Sequence, residues 1–223
     1  MDAFLKTLQT LPEASELIAR VENGGCPAVL TGTAPVQRAC IGAAVAAGTG
    51  RPAVFLCADE REARQLAGDL QSLTGQEPVT LLAREWQFRP NAVASREWER
   101  SRLAALYRMA SGAVPAVVAT IDALMTRTLP PQRLAALSVT LRPGDRVELG
   151  ALTERLVQAG YSRCEQVEGV GQFAIRGGIL DVFSPLMEQP VRCEVFDDEV
   201  DSLGAFDPGP QRRTENVSVA LLL

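Results

Sequence analysis

Apolar runs alternate with helical patterns through the first part of the chain. Four strand-like runs lie at 26–30, 52–57, 79–82 and 114–120, and segments with helical spacing separate them at 36–47, 60–73 and 96–110. In the second of these segments Leu66, Leu70 and Leu73 share one face, and Asp59 is a suitable N-cap. Strands and helices that alternate over such lengths predict a parallel sheet with right-handed crossovers.

Beyond about residue 137 the pattern changes to short alternating strands and tight turns. One helix is predicted over 149–159 with Gly160 as its C-cap, and three strand-rich segments follow it: GQFAIRGGILDVF, PVRCEVFDDEVDSLGAF and ENVSVALLL. Residues 1–137 hold 14 basic and 13 acidic side chains, whereas 138–223 hold 8 and 14. We therefore predict an α/β protein of two domains, a parallel-sheet domain over 1–137 and a smaller α+β domain, with a mostly antiparallel sheet, over 138–223.

A two-residue turn at Gly177-Gly178 would fix the register of the first hairpin in the second domain. Arg176 would then pair with Ile179, and Phe173 with Val182. One face, predicted to lie against the core, carries Phe173, Ile175, Leu180 and Val182. The opposite face is predicted to be the wetter one and carries Ala174, Arg176, Ile179 and Asp181.

The same alternation in VRCEVF turns Arg192, Glu194 and Phe196 outward, and Val191, Cys193 and Val195 inward. Two arginines and an aromatic are the residue types that dominate protein–protein hot spots. Alternation alone gives equal support to a second interpretation, in which Phe196 packs against a neighbouring loop of the same chain. Arg176, Arg192 and Phe196 are expected to be exposed, so that their truncation leaves the fold nearly untouched.

Composition excludes several kinds of chemistry. The chain has no histidine, and 21 of its 22 basic residues are arginine, with Lys6 as the only lysine. The loop TGTAPVQRAC starts like a phosphate loop at Thr31, Gly32 and Thr33 but lacks the lysine that a working ATPase needs. It is predicted to be degenerate and non-hydrolysing, and no cofactor is expected. The carboxylates of Asp197, Asp198, Glu199 and Asp201 could suggest a metal site, but the sequence favours a solvated hairpin turn there.

Two further features bear on partners and compartment. Arginines and tryptophans interleave over 84–108, which can mark a nucleic-acid surface, but Glu85, Glu97 and Glu99 among them favour a salt-bridged helix face. Five cysteines without a C-x-x-C pair indicate small buried residues in a reduced cytosol. With no apolar run near 20 residues and no signal peptide, a cytoplasmic location is expected.

Nearly the whole chain carries a family resemblance. GQFAIRGGILDVFSP and PVRCEVFDDEVDSLGAFDP, preceded by SRLAALYRMASG and VVATIDALMTR, resemble the N-terminal region of the bacterial transcription-repair coupling factors, which is itself similar to the repair protein UvrB. The resemblance extends over roughly 27–223. It implies that the first domain is a degenerate RecA-like fold without a functional phosphate loop, and that the second domain binds UvrA through Arg176, Arg192 and Phe196.

The function implied by this resemblance is recruitment of UvrA to stalled transcription complexes for nucleotide excision repair, by a non-catalytic fragment. The parent protein would be an ATP-dependent DNA translocase that itself contacts RNA polymerase and DNA, and the remainder of the parent would mask the docking surface. The alternatives are a UvrB-like ATPase that binds damaged DNA and a nucleotide-sensing module. The missing lysine and the short REWQFRPNAVASRE, where UvrB has an aromatic hairpin, favour recruitment.

Overall fold

A computed structural model describes residues 2–25, 27–84, 97–112 and 114–223. The helices are α1 (Asp2–Gln9), α2 (Pro12–Glu22), α3 (Pro35–Thr49), α4 (Glu60–Thr74), α5 (Glu97–Ala110), α6 (Ile121–Met125), α7 (Pro131–Leu137) and α8 (Leu149–Gln158). The strands are β1 (Ala53–Cys57), β2 (Val79–Leu81), β3 (Ala116–Thr120), β4 (Val139–Leu141), β5 (Ser162–Arg163), β6 (Gln172–Arg176), β7 (Ile179–Val182), β8 (Val191–Phe196), β9 (Glu199–Asp207), β10 (Arg212–Asn216) and β11 (Ala220–Leu222).

The described residues form two compact units. One contains the described parts of 2–84 and 111–128, and the other contains 97–110 and 129–223. Helices α5 and α7, which lie within the predicted first domain, group with the second unit. Arg100 on α5 explains part of this grouping, because its guanidinium donates a hydrogen bond to the carbonyl oxygen of Met187 at 3.0 Å. The boundary near residue 137 stays a prediction.

The first unit is built on a three-stranded parallel sheet in the order β1-β3-β2. The predicted cap of α4 is present, since Oδ1 of Asp59 accepts a hydrogen bond from the backbone N–H of Glu62 at 2.8 Å. The predicted face of α4 lies in the core, where Leu70 is buried with Leu66 and Leu73 packed beside it. The expectation of a parallel α/β arrangement is therefore confirmed.

The strand predicted at 26–30 was wrong for the residues that the structure describes. Residues 27–30 form no strand, and Val29 is 86 % exposed; Cys26 lies outside the described residues. Pro27 has no N–H to offer a neighbouring strand, and so short an apolar run is a weak indicator of secondary structure. The segment instead leads into α3 as an irregular connection.

The second unit contains a six-stranded sheet in the order β10-β9-β8-β7-β6-β5. All its pairs are antiparallel except the short β5–β6 pair. A separate pair joins β4 to β11, so the final segment ENVSVALLL is divided between β10 and β11. Leu152 and Leu156 of α8 pack into the core with Phe173, Leu180 and Val182. The predicted mixed domain with a mostly antiparallel sheet is confirmed.

The two hairpin turns also follow the prediction. Arg176 pairs with Ile179 across Gly177-Gly178, and Gly177 has a φ of +60° that suits a tight turn. A Cβ at Gly178 would overlap the carbonyl oxygen of Val195, which explains why this position needs glycine. Asp197 and Asp198 form the β8–β9 turn, with φ values of +49° and +63°.

Among the described residues no helix is both long and apolar enough to cross a membrane. In the same part of the chain, no three acidic, cysteine or histidine side chains gather into a possible metal site.

Candidate functional site

Phe196 projects from the end of β8 next to the β8–β9 turn. It pairs with Glu199 across the hairpin, and it is 80 % exposed. Nothing in the described part of the chain covers its ring, so the alternative in which Phe196 tucks against a neighbouring loop does not hold there. An exposed aromatic at a turn offers a partner protein a large apolar anchor.

Asp181 organises the two arginines of the predicted surface. The register places it directly opposite Arg192 on β8. Its carboxylate accepts hydrogen bonds from Arg192 Nε at 2.7 Å and from Arg192 Nη2 at 2.9 Å. It also accepts one from Arg176 Nη2 at 2.6 Å. The Asp181 side chain is only 1 % exposed, so one buried carboxylate fixes both guanidinium groups.

Arg192 is held on a second side by an aromatic ring. Its guanidinium carbon lies 5.0 Å from the centroid of the Phe206 ring, which is fully buried. The hydrogen bonds to Asp181 raise the pKa of Arg192 above its usual value, while burial opposes this shift. The Arg192 side chain is only 19 % exposed, compared with 48 % for Arg176.

The face of the sheet that carries Arg176 and Asp181 was expected to be the more solvent-exposed one. This expectation was wrong at the centre of the face. Ala174 and Phe206 are buried on it together with Val167 and Phe183. Phe206 arrives on β9, which lies two strands away from β7 in the sheet, so the hairpin pattern alone could not reveal it. This small apolar cluster covers one face of the sheet and leaves Arg176 and Phe196 at its exposed margin.

A second polar group lies beside the first on the same face. Ser202 Oγ donates a hydrogen bond to Glu194 Oε2 at 2.8 Å, and Arg213 Nη1 donates to Ser202 Oγ at 3.1 Å. The sequence predicted that Glu194 and Asp181 lie on the outward face, but it indicated no role for them. It did not point to Ser202 or Arg213. The pairing of Asp181 with Arg192 could have been found from the opposite charges in the predicted register. The position of Arg213 could not, because it depends on the pairing of β10 with β9 and on the absence of a side chain at Gly204.

The predicted degenerate phosphate loop lies in the first unit. Thr31, Gly32 and Thr33 precede α3, and Gly32 has a φ of +77°. At the start of the helix the backbone N–H of Ala34 donates to the side-chain oxygen of Gln37 at 2.8 Å. The neighbouring Arg38 is engaged in an ion pair with Glu62 at 2.9 Å. Lys6, the only lysine, lies on α1.

The cysteines are free thiols wherever the structure describes them. Cys57 and Cys193 are buried, and Cys40 and Cys164 are half-buried. Burial raises the pKa of Cys193 to about 11, which makes it a poor nucleophile near neutral pH.

The arginine- and tryptophan-rich stretch is described only in part. Residues 85–96 lie outside the described residues, and Trp86, Arg89 and Arg96 are among them. On α5 the guanidinium carbon of Arg100 lies 5.8 Å from the centroid of the Phe183 ring, and that of Arg102 lies 5.4 Å from Trp98. These two guanidinium groups are therefore engaged within the chain itself.

Sequence comparisons agree with the class of surface that the geometry suggests. Residues 139–223, which contain β4 to β11, match the family model described as the UvrB interaction domain. The match supports a protein-interaction role for this part of the chain in general.

Relatives extend the match to most of the chain. It is 32 % identical to the transcription-repair-coupling factor of Bacillus subtilis over 98 % of its length and 36 % identical to that of Myxococcus xanthus over 74 %. The factor of Escherichia coli is 32 % identical over 77 %. Over most of its length the chain is therefore similar to one part of the transcription-repair coupling factors. It spans 14 to 19 % of the length of these relatives.

Proposed function

We propose that this chain recruits UvrA to stalled transcription complexes for nucleotide excision repair, by protein–protein docking through Arg176, Arg192 and Phe196. The observation that carries the proposal is the preset pair of guanidinium groups on Asp181, on the same sheet face as the exposed Phe196. Similarity to coupling factors over most of the chain and the match to the UvrB interaction domain support it.

The chemistry of the surface suits an acidic partner segment. Two arginines share one carboxylate, so the cluster keeps one surplus positive charge. Arg192 uses Nε and Nη2 on Asp181, which leaves its Nη1 N–H groups for another acceptor. Asp181 and Phe206 already hold this guanidinium in place. Arg192 therefore loses little side-chain entropy when it donates a hydrogen bond to a carboxylate of the partner.

Phe196 supplies the apolar part of the contact. It stands four residues beyond Arg192 on the same strand, a separation of roughly 13 Å at the rise of an extended chain. A partner that covers both residues would bury an aromatic anchor next to a charged pair. This is the usual arrangement of an interface hot spot.

The other partners belong to the parent protein. We propose that RNA polymerase and DNA are bound by the parent protein and not by these 223 residues, and that a contact with the remainder of the parent masks the docking surface. Phe196 is an exposed apolar side chain beside charged groups. A contact that covers it would prevent premature binding until the parent reaches a stalled polymerase. The chain itself is proposed to be non-catalytic.

Capture of purified UvrA by the 223-residue chain tests the proposal. We expect wild-type protein to retain UvrA and Phe196→Ala to retain much less, since the variant loses the anchor. Met125→Ala is a matched control, because Met125 is 79 % exposed and apolar but lies on α6. Equal retention of UvrA by Phe196→Ala and Met125→Ala would refute docking through Phe196.

A further inference from the structure

Arg213 crosses the sheet face over a glycine. Gly204 on β9 lies directly opposite Arg192 on β8. A Cβ built on Gly204 would overlap Nε of Arg213, and the adjoining Cζ and Cδ are also too close. The side chain of Arg213 therefore lies flat against bare backbone, in space that any other residue at position 204 would occupy.

Three contacts hold the Arg213 guanidinium in this position. Nη1 donates a hydrogen bond to Ser202 Oγ at 3.1 Å, and Nη2 donates to the carbonyl oxygen of Leu203 at 2.8 Å. Nη1 also lies 3.7 Å from Oε1 of Glu194, a loose ion pair. The Arg213 side chain remains 30 % exposed. It is thus fixed but still within reach of a partner.

The register places this group beside the proposed docking surface. Arg213 pairs with Phe206, and Phe206 is the ring on which Arg192 stacks. From β6 to β10 the face carries a row of alternating charge, consisting of Arg176, Asp181, Arg192, Glu194 and Arg213. Three guanidinium groups face two carboxylates, so the row itself has a positive surplus, while Glu199 adds a carboxylate beside Phe196 at the edge of the face. Residues 138–223 as a whole hold 14 acidic and 8 basic side chains, so this surplus is local.

We infer that Arg213 is a third docking arginine and that it binds a carboxylate in an acidic segment of the partner, next to the segment's contact with Arg192. The inference rests on the proposed function. Continuity with Arg192 and complementary charge select an acidic protein segment as the occupant. Gly204 is then the residue that allows the third arginine to reach this place.

The competing explanation is that Arg213 only ties the edge strand β10 to β9. Its hydrogen bonds to Ser202 and Leu203 would serve that purpose equally well. The two explanations differ in what Gly204→Ala does. This substitution keeps Arg213 and its charge, but the new methyl group pushes the flexible guanidinium off the face. Gly204 has no left-handed backbone conformation, so alanine is compatible with the strand.

The experiment compares UvrA affinity and thermal unfolding for Arg213→Gln, Gly204→Ala and the double variant, all in the full 223-residue chain. Arg212→Gln is the control for charge, because its register partner is Asp207 and alternation puts it on the opposite face. We expect about tenfold weaker binding for Arg213→Gln and for Gly204→Ala, and no additional loss in the double variant. Arg212→Gln is expected to change the affinity by less than about twofold.

Two outcomes would overturn the inference. In one, Arg213→Gln binds UvrA like wild type while Phe196→Ala does not, which leaves the proposed function intact. In the other, the loss of binding merely follows the loss of thermal stability across the variants, which assigns Arg213 to strand pairing. If Arg176→Ala, Arg192→Ala and Phe196→Ala all bind like wild type, the proposed function itself fails.

Discussion

Asp181 and Arg192 face each other across β7 and β8, and the carboxylate accepts two hydrogen bonds from the one guanidinium, at 2.7 and 2.9 Å. The carboxylate is nearly inaccessible to water, so these bonds replace the hydration that it loses on folding. Arg192 consequently has a structural role in addition to the docking role proposed for it.

The two arginines are predicted to differ in their effect on stability. Arg192→Ala removes two hydrogen bonds from a buried carboxylate and should lower the free energy of unfolding by about 2 kcal/mol. Arg176→Ala removes one bond made by a half-exposed side chain, and Asp181 keeps Arg192, so a loss below about 1 kcal/mol is expected. Urea denaturation of both variants measures this. Equal losses would contradict the geometry of the cluster.

Local features of this fold could be predicted from the sequence, whereas contacts between distant strands could not. Asp59 as a helix cap and Gly177-Gly178 as a turn were predictable because each depends on a few adjacent residues. The burial of Arg192 depends on Phe206, which reaches it from β9. The path of Arg213 depends on the missing side chain of Gly204, which becomes a neighbour only through strand pairing. Hydrophobic alternation specifies the face of a strand but not the contacts that cover it.

The thiol of Cys193 should make the fold sensitive to alkaline pH. Burial raises its pKa from 9.0 to about 11, so the unfolded chain releases this proton before the folded chain does. The stability due to the neutral thiol is complete below pH 9 and is lost as the pH rises towards 11, by roughly 3 kcal/mol in total. Denaturation at pH 8 and pH 10.5 should show a smaller decrease for Cys193→Ala than for wild type. Identical decreases would show that Cys193 titrates normally.

The loop at Thr31, Gly32 and Thr33 is predicted neither to bind Mg-ATP at physiological concentration nor to support its hydrolysis. The only lysine of the chain is Lys6 on α1, and a working phosphate loop carries its lysine within the loop itself. Purified protein should release phosphate from ATP at the background rate. A rate above background that disappears when residues 31–33 are replaced would overturn this prediction.

The proposed contact that masks the docking surface has a measurable consequence. When no nucleotide is present, the parent protein should bind UvrA more weakly than this chain does. The apparent affinity falls by the fraction of molecules whose docking surface is open. Side-by-side titrations of UvrA with the chain and with the parent measure that fraction. Indistinguishable dissociation constants would rule out a masking contact.

We propose that Arg176, Arg192 and Phe196 form the surface that binds UvrA. Calorimetric titration of UvrA with wild type, Arg176→Ala, Arg176→Glu and Phe196→Ala, together with the melting temperature of each protein, tests this proposal. Arg176 and Phe196 are the informative positions, because both are substantially exposed and their truncation should leave the melting temperature nearly unchanged.

In that titration we expect each alanine variant to lose on the order of 1 to 4 kcal/mol of binding free energy, with melting temperatures close to wild type. Arg176→Glu should lose more than Arg176→Ala, because it adds repulsion from an acidic partner to the loss of the hydrogen bond. Wild-type affinity in Arg176→Glu and Phe196→Ala, with both variants folded, would show that these residues do not form the UvrA-binding surface.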